Sequence, residues 1–152
     1  MTENNNPIPT IDQSAFSIPH EESFAGVLGI EFDSFDMRGP VTAHIPVKTV
    51  LMQPMGIVHG GIFASISETI VSIATVLNVA DDGMIAVGQS NNTSFLRPVS
   101  EGTMHAVATP IHMGRTSWLW QVDITNDQGK RCAVSTVTLA VRPQSNFERP
   151  SS

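Results

Sequence analysis

Charge is scarce in this chain. Of 152 residues, 8 are Lys or Arg and 14 are Asp or Glu, so charged residues make up 14% of the whole. An ordinary domain carries roughly 25%. Hydrophobic residues, at 41%, are not in excess, so the shortage of charge points to surface covered by further copies of the chain. The net charge is −6 and no basic cluster occurs, which argues against nucleic-acid binding. The single cysteine, Cys132, excludes a disulfide scaffold and a cysteine-based zinc site. The start of the chain has no basic segment leading into an apolar one, so no signal peptide is read there. The most apolar run, 70–80, is too short and too interrupted for the roughly 20 residues that a bilayer span needs. The expectation is a soluble protein of a reducing compartment, the cytoplasm, with no membrane and no nucleic-acid partner.

A length of 152 residues matches one domain on the prior of roughly 150 residues each. Neither an internal repeat nor a linker interrupts it. Residues 1–20 hold Asn4-Asn5-Asn6-Pro7 and two further prolines, with little apolar surface to anchor them. They read as a tail, as do residues 144–152, which leaves 21–143 as the folded domain. Between these ends, 30–37 and 41–47 flank Arg38-Gly39-Pro40, and Val41, Ala43, Ile45 and Val47 alternate with polar neighbours, the pattern of a half-buried strand in a hairpin. A loop over 48–58 leads to one long helix, Gly60–Val79, with Ile62, Ile66, Ile70, Ile73 and Leu77 on one stripe. The opposite stripe is Gly61, Ala64, Glu68, Ser72 and Thr75. A solvated helix face normally carries several charges, and this one carries Glu68 alone, so both faces are expected to be covered. Four strands follow, 84–96, 102–113, Ser117–Thr125 and 131–141, with Asp81-Asp82-Gly83 and Asn126-Asp127-Gln128-Gly129 as turns. Strand, strand, helix and four strands, read as antiparallel meanders, make an α+β layer architecture, with the helix against a curved sheet on one side and a second copy on the other.

The segment Val58-His59-Gly60-Gly61 runs into that helix. Paired glycines there cost backbone entropy unless something must come close. The first N–H groups of a helix have no internal acceptor and sit at the positive end of its dipole, a natural seat for an anion or developing oxyanion. Glu68 lies two turns further on and shares a stripe with Gly61, so a bound carbonyl is placed between helix-start amides and a carboxylate. Such a set suits acyl transfer. Gly60 or Gly61 would polarise the carbonyl, Glu68 would attack it or activate water, and Ser72, one turn on, would hold the carboxylate or the water. A thioester fits best, because a thiolate leaves without a dedicated acid. The histidines His20, His44, His59, His105 and His112 are scattered, and no metal or cofactor is expected.

Gln53-x-x-Gly56-x-Val58-His59-Gly60-Gly61, Glu68 seven residues later and Ser72 four after that resemble the hotdog-fold acyl-CoA thioesterases. The likeness is to the helix-glutamate branch typified by 4-hydroxybenzoyl-CoA thioesterase. It continues through Ala86-Val87-Gly88-Gln89-Ser90-Asn91, Thr93-Ser94-Phe95-Leu96-Arg97-Pro98-Val99, Cys132-Ala133-Val134-Ser135 and Ala140-Val141-Arg142-Pro143, covering roughly 22–143.

The resemblance implies a curved antiparallel sheet around one central helix. It implies that Gly60 binds the thioester carbonyl through its amide and that Glu68 is nucleophile or base. Gln53 and His59 would orient the substrate, and Ser72 would support the carboxylate. Arg97 and the segment Arg115-Thr116 are implied to contact CoA phosphates, and Arg142 is a further candidate cation for CoA. It also implies sites between subunits and a homotetramer, a dimer of dimers. Arg115 stands where relatives carry Ser or Thr, and Gln144-Ser145 where some carry arginines. The expected activity is hydrolysis of an aromatic acyl-CoA, 4-hydroxybenzoyl-CoA first. The alternatives are phenylacetyl-, dihydroxynaphthoyl- or aliphatic acyl-CoA, or a non-catalytic acyl-CoA-binding module.

Overall fold

Period-two alternation of buried and exposed side chains decides the sheet. In the strand Ser117–Thr125, Trp118, Trp120, Val122 and Ile124 point into the core, the face expected from the sequence. In Arg131–Pro143 the inward set is Ala133, Ser135, Val137, Leu139 and Val141, so Val134 lies on the other phase. The structure, a computed structural model, describes residues 18–146. Its elements in chain order are α1 (Phe24–Leu28), β1 (Glu31–Phe35), β2 (Val41–Pro46), α2 (Gly60–Val79), β3 (Met84–Phe95), β4 (Thr103–Met113), β5 (Ser117–Thr125) and β6 (Arg131–Pro143). Most of both expected tails lies outside the described residues. Of their described parts, His20 opens a short 3-10 turn, and Gln144–Asn146 forms another that donates from Gln144 N–H to Gly83 O at 3.0 Å.

One six-stranded antiparallel sheet runs in the order β1-β2-β4-β5-β6-β3. It is a hotdog sheet around one long helix, as expected, but it is not a simple meander. After α2 the chain enters the far edge beside β6, then crosses back to lay β4 against β2. Periodicity along a strand reports which face is buried and says nothing of the neighbour, so this order was not legible in the pattern.

Helix α2 has the expected bounds, but its buried face is turned by about one residue position, roughly 100° at 3.6 residues per turn. Phe63, Ile66, Ser67, Ile70, Val71, Ala74 and Thr75 pack on the sheet, while Ile62, Ile73 and Leu77 are only partly covered. Thr75 therefore lies on the core side, against expectation. The cause is polar: Thr75 Oγ1 donates to Val71 O at 2.7 Å and accepts from the Trp120 indole N–H at 3.0 Å, so the hydroxyl is satisfied inside. By length and apolar content alone Gly60–Asp82 could cross a membrane. Its packing against the sheet instead makes it the core helix of this domain.

α1 was not expected. It is too short to show a periodic stripe, and its signals are local: Ser23 Oγ accepts from Gly26 N–H at 3.3 Å, and Gly29 closes the helix at φ 68°.

Thr75→Val keeps the shape of the side chain and leaves the fully buried Trp120 N–H without an acceptor. A loss of about 1–3 kcal/mol is expected. Urea unfolding followed by tryptophan fluorescence measures it, and an unchanged midpoint would show that the bond contributes nothing.

Candidate active site

The start of α2 is held by its own cap. His59 N–H donates to Leu51 O at 2.9 Å, and His59 Nδ1 accepts from Gly61 N–H at 2.9 Å. Nδ1 is therefore the bare nitrogen in this arrangement, and the ring proton sits on Nε2. Gly61 N–H is thus already occupied and is not the amide for a substrate. Gly60 N–H has no hydrogen-bond partner among the described residues and is the one left. A Cβ at Gly60 would stand 3.3 Å from Phe95 Cζ, so the ring at the end of β3 packs closely beside this amide. Gln53 belongs to the loop before the helix. Its N–H donates to Ile57 O, its carbonyl accepts from Gly56 N–H, both at 2.9 Å, and Gly56 turns the chain at φ 77°. Gln53, His59 and Gly60 are therefore gathered around one helix end.

Glu68 is exposed, on the outward face of α2, and opens into a cavity of about 500 Å³. Ser72, Thr69 and Ile73 of α2 form one wall, and Phe24 and Ala25 of α1 with Ser23 form another. The lining is mostly apolar, and among the described residues neither Lys nor Arg contributes to it. The carboxylate does not rest on Ser72: its hydrogen bond comes from Asn91 Nδ2, at 3.3 Å to Oε2, and the same nitrogen donates to Ala64 O at 2.9 Å. Gly88 lies beneath the other oxygen, where a Cβ would stand 2.5 Å from Glu68 Oε1. Neither Asn91 nor Gly88 was assigned a role from the sequence. The signal was the polar run 89–94 between apolar ends of a strand, which the sequence offers as an edge strand or as a polar interface close to the site; β3 is at the sheet edge, and Asn91 of that run reaches Glu68. The α1 wall was missed with α1 itself.

The expected carbonyl site between the helix start and Glu68 does not close within one chain. Glu68 stands eight positions after Gly60 on α2, about 12 Å along the helix axis. Helix N–H groups point out of the N-terminal end, so a carbonyl bound to Gly60 lies further still from Glu68, beyond the reach of its side chain.

The cations also divide. Arg97 follows β3, with its N–H on Cys132 O at 3.1 Å. Arg142 stands ten residues away along β6, about 30 Å at strand rise, where its Nη1 donates at 2.8 Å to both Thr116 O and Val141 O. Arg115 and Thr116 are at that same end of the sheet, and Arg115 lines a second cavity with Arg38. Arg115, Thr116 and Arg142 are thus brought together, and Arg97 is not with them. Cys132 is no rival nucleophile: it is buried, burial pushes its thiol up from the ordinary value, and its Sγ lies 3.2 Å from Lys130 O.

The family model described as the thioesterase superfamily matches residues 55–133. The proofreading thioesterase EntH of Cronobacter turicensis is 39% identical over 114 residues, which span 75% of this chain and 82% of that protein. A crystal structure of a thioesterase from Haemophilus influenzae aligns at TM-score 0.77 and 38% identity, covering 87% of this chain and 90% of that one. A thioesterase from Pseudomonas aeruginosa, crystallised as a mutant, aligns at TM-score 0.77 and 35% identity, covering 82% and 88%. With its sheet wrapped around α2 and its free helix-start amide, this chain belongs to the thioesterase superfamily and is an acyl-CoA thioesterase of the hotdog fold.

Proposed function

We propose that this thioesterase hydrolyses an aromatic acyl-CoA, with 4-hydroxybenzoyl-CoA the first candidate, to the free acid and CoA. The observation that carries the reading is the single carboxylate of α2 set at the mouth of a mostly apolar cavity of about 500 Å³, a volume within the roughly 300–1,000 Å³ usual for small-molecule sites. Phe24 and Ile73 give that cavity apolar surface for an aryl group. Glu68 attacks the thioester carbon, or takes a proton from a water that does. Gly60 N–H and the His59 Nε2–H meet the oxyanion. The C–S bond then breaks, the thiolate leaves as CoA, and water supplies the oxygen of the acid, directly or through an anhydride on Glu68. Gln53 orients the acyl carbonyl, and Ser72 holds the attacking water.

Because the amide and the carboxylate of one helix cannot share a carbonyl, the site takes one group from each of two copies. β3 is a twelve-residue edge with one side unpaired among the described residues, and α2 packs over it at Gly88, Asn91 and Phe95. A two-fold axis joining two such edges lays β3 antiparallel to its mate. The helix start of one copy then lies near Glu68 of the other, and Arg97 near the end of the sheet that carries Arg115, Thr116 and Arg142. Both separations within one chain are thereby closed, and a CoA held by these cations would span the same junction. Stacking of two such dimers gives the homotetramer.

Thiol release from 4-hydroxybenzoyl-, benzoyl-, phenylacetyl- and a medium-chain acyl-CoA tests the substrate class. Highest kcat/KM on the hydroxylated aryl ester is expected, with Glu68→Ala lowering kcat by about 10²–10⁴-fold at unchanged circular dichroism. Faster turnover of the aliphatic ester removes the aryl assignment, and release by the alanine variant at the wild-type rate removes the mechanism.

A second variant tests the oxyanion donor. His59 sits at φ −64° and ψ 134°, a conformation that a following proline accepts, and proline suits the first helical position. Gly60→Pro removes the amide proton, and Phe95 must yield slightly to its ring. A fall of about 10²–10³-fold in kcat is expected, and wild-type kcat would show that this amide does not face the carbonyl.

A further inference from the structure

Two of the three fully buried polar side chains among the described residues, Ser67 and Ser135, lie in a chain of hydrogen bonds that ends at Glu68. Ser67 Oγ lies 2.8 Å from Ser135 Oγ, which lies 2.8 Å from Thr93 Oγ1, which donates at 2.8 Å to Asn91 Oδ1. Ala64 O and the carboxylate of Glu68 accept only, so Asn91 must turn its amide nitrogen to them and its oxygen to Thr93. That sets the direction of the whole chain: Thr93 gives its proton to Asn91, Ser135 gives its own to Thr93, and Ser67 serves Ser135. Ser67 Oγ also lies 2.9 Å from Phe63 O, so its one proton is shared between two acceptors. Buried hydroxyls cost free energy unless they are bonded, and here each hydroxyl has an acceptor for its proton, which holds the group in place.

The edge strand is shaped for the same end. The ladder between β3 and β6 pairs Gly88 with Leu139 and Ser90 with Thr138, leaving Gln89 as an extra residue. A bulge re-aims the side chains that follow it. Before it, even-numbered Gly88 faces the helix; after it, odd-numbered Asn91, Thr93 and Phe95 do, as their contacts with Glu68, Ser135 and Phe63 show. Without the extra residue, Gly88 and Asn91 would lie on opposite faces of β3 and could not both touch the carboxylate.

We infer that Asn91 is a positioning residue for Glu68, held by the Thr93–Ser135–Ser67 hydroxyl chain, with Gly88 supplying the space in which the carboxylate sits. This rests on Glu68 being the catalytic carboxylate. Asn91 donates to the charged form and fixes which oxygen faces the cavity. The atom that Gly88→Ala would press on is the free end of a flexible side chain, so that variant displaces the carboxylate without disturbing the core. The groups facing Glu68 are uncharged on α2 and β3, and His20, across the cavity, is the other titratable one among the described residues.

The test compares Asn91→Ala, Gly88→Ala, Asn91→Asp and Glu68→Ala on an acyl-CoA that the wild type turns over. For the first two, kcat is expected to fall by about 10- to 100-fold, with KM within about twofold and unfolding midpoints near wild type. Asn91→Asp sets a second carboxylate against Glu68, which raises the pKa of the pair, so the acid limb of the kcat/KM profile moves to higher pH. It does so equally in a His20→Gln background. Wild-type kcat in Asn91→Ala and Gly88→Ala, beside an inactive Glu68→Ala, overturns the positioning role and leaves the carboxylate mechanism standing. Full activity in Glu68→Ala overturns both.

Discussion

The length of helix between Gly60 and Glu68 governs the rest of the molecule. A free N–H that points out of the end of α2 and a carboxylate two turns along its side are each suited to a thioester, yet about 12 Å of axis keeps them from the same carbonyl. The fold meets this constraint by placement. α2 buries one face on the sheet, reaching Trp120 of β5, leaves Glu68 outward, and runs alongside the edge strand β3. The groups that the proposed second copy would complete are therefore at one border: the edge strand, the helix start with Phe95, and the carboxylate over Gly88. The low charge count of the chain fits the proposed pairing, since a border that met another copy would have little use for solvated lysines and glutamates.

Within that border the carboxylate is not left to its own rotamers. A long, exposed side chain on a helix samples several orientations, and ordering it costs entropy. Here the cost is met by neighbours already fixed for other reasons. Ser135 is locked in β6, Ser67 in α2, and Thr93 and Asn91 in β3, so the hydroxyl chain ties all three packed elements to the orientation of one amide. The bulge at Gln89 is the local device that makes this possible.

Much of this was legible before the structure. The bounds of α2, the strands β3–β6 and the hairpin of β1 and β2 follow from period and turn residues, because those patterns are local. The pairing order was not, because the alternation of β3 is the same whether its neighbour is β4 or β6. The phase of α2 missed by one position, since Thr75 read as an outward polar residue and is in fact bonded inside, to Val71 O and the Trp120 indole. The Gly88–Asn91 segment stood out as polar, but only the bulge, which no alternation pattern reveals, puts both residues on Glu68. Arg97, Arg115 and Thr116 were grouped by the resemblance, and Arg142 joined them as a cation. One chain separates Arg97 from the others by the length of β6.

Subunit mixing tests whether one site draws on two copies. Gly60→Pro and Glu68→Ala proteins, each inactive alone, are unfolded together and refolded at equal concentration, with exchange verified by native mass spectrometry. A two-fold pair of unlike chains has one site with both defects and one with neither, so mixing restores about a quarter of wild-type activity. If mixed oligomers form and activity stays at the level of the separate variants, the amide and the carboxylate belong to the same chain and the shared site is wrong.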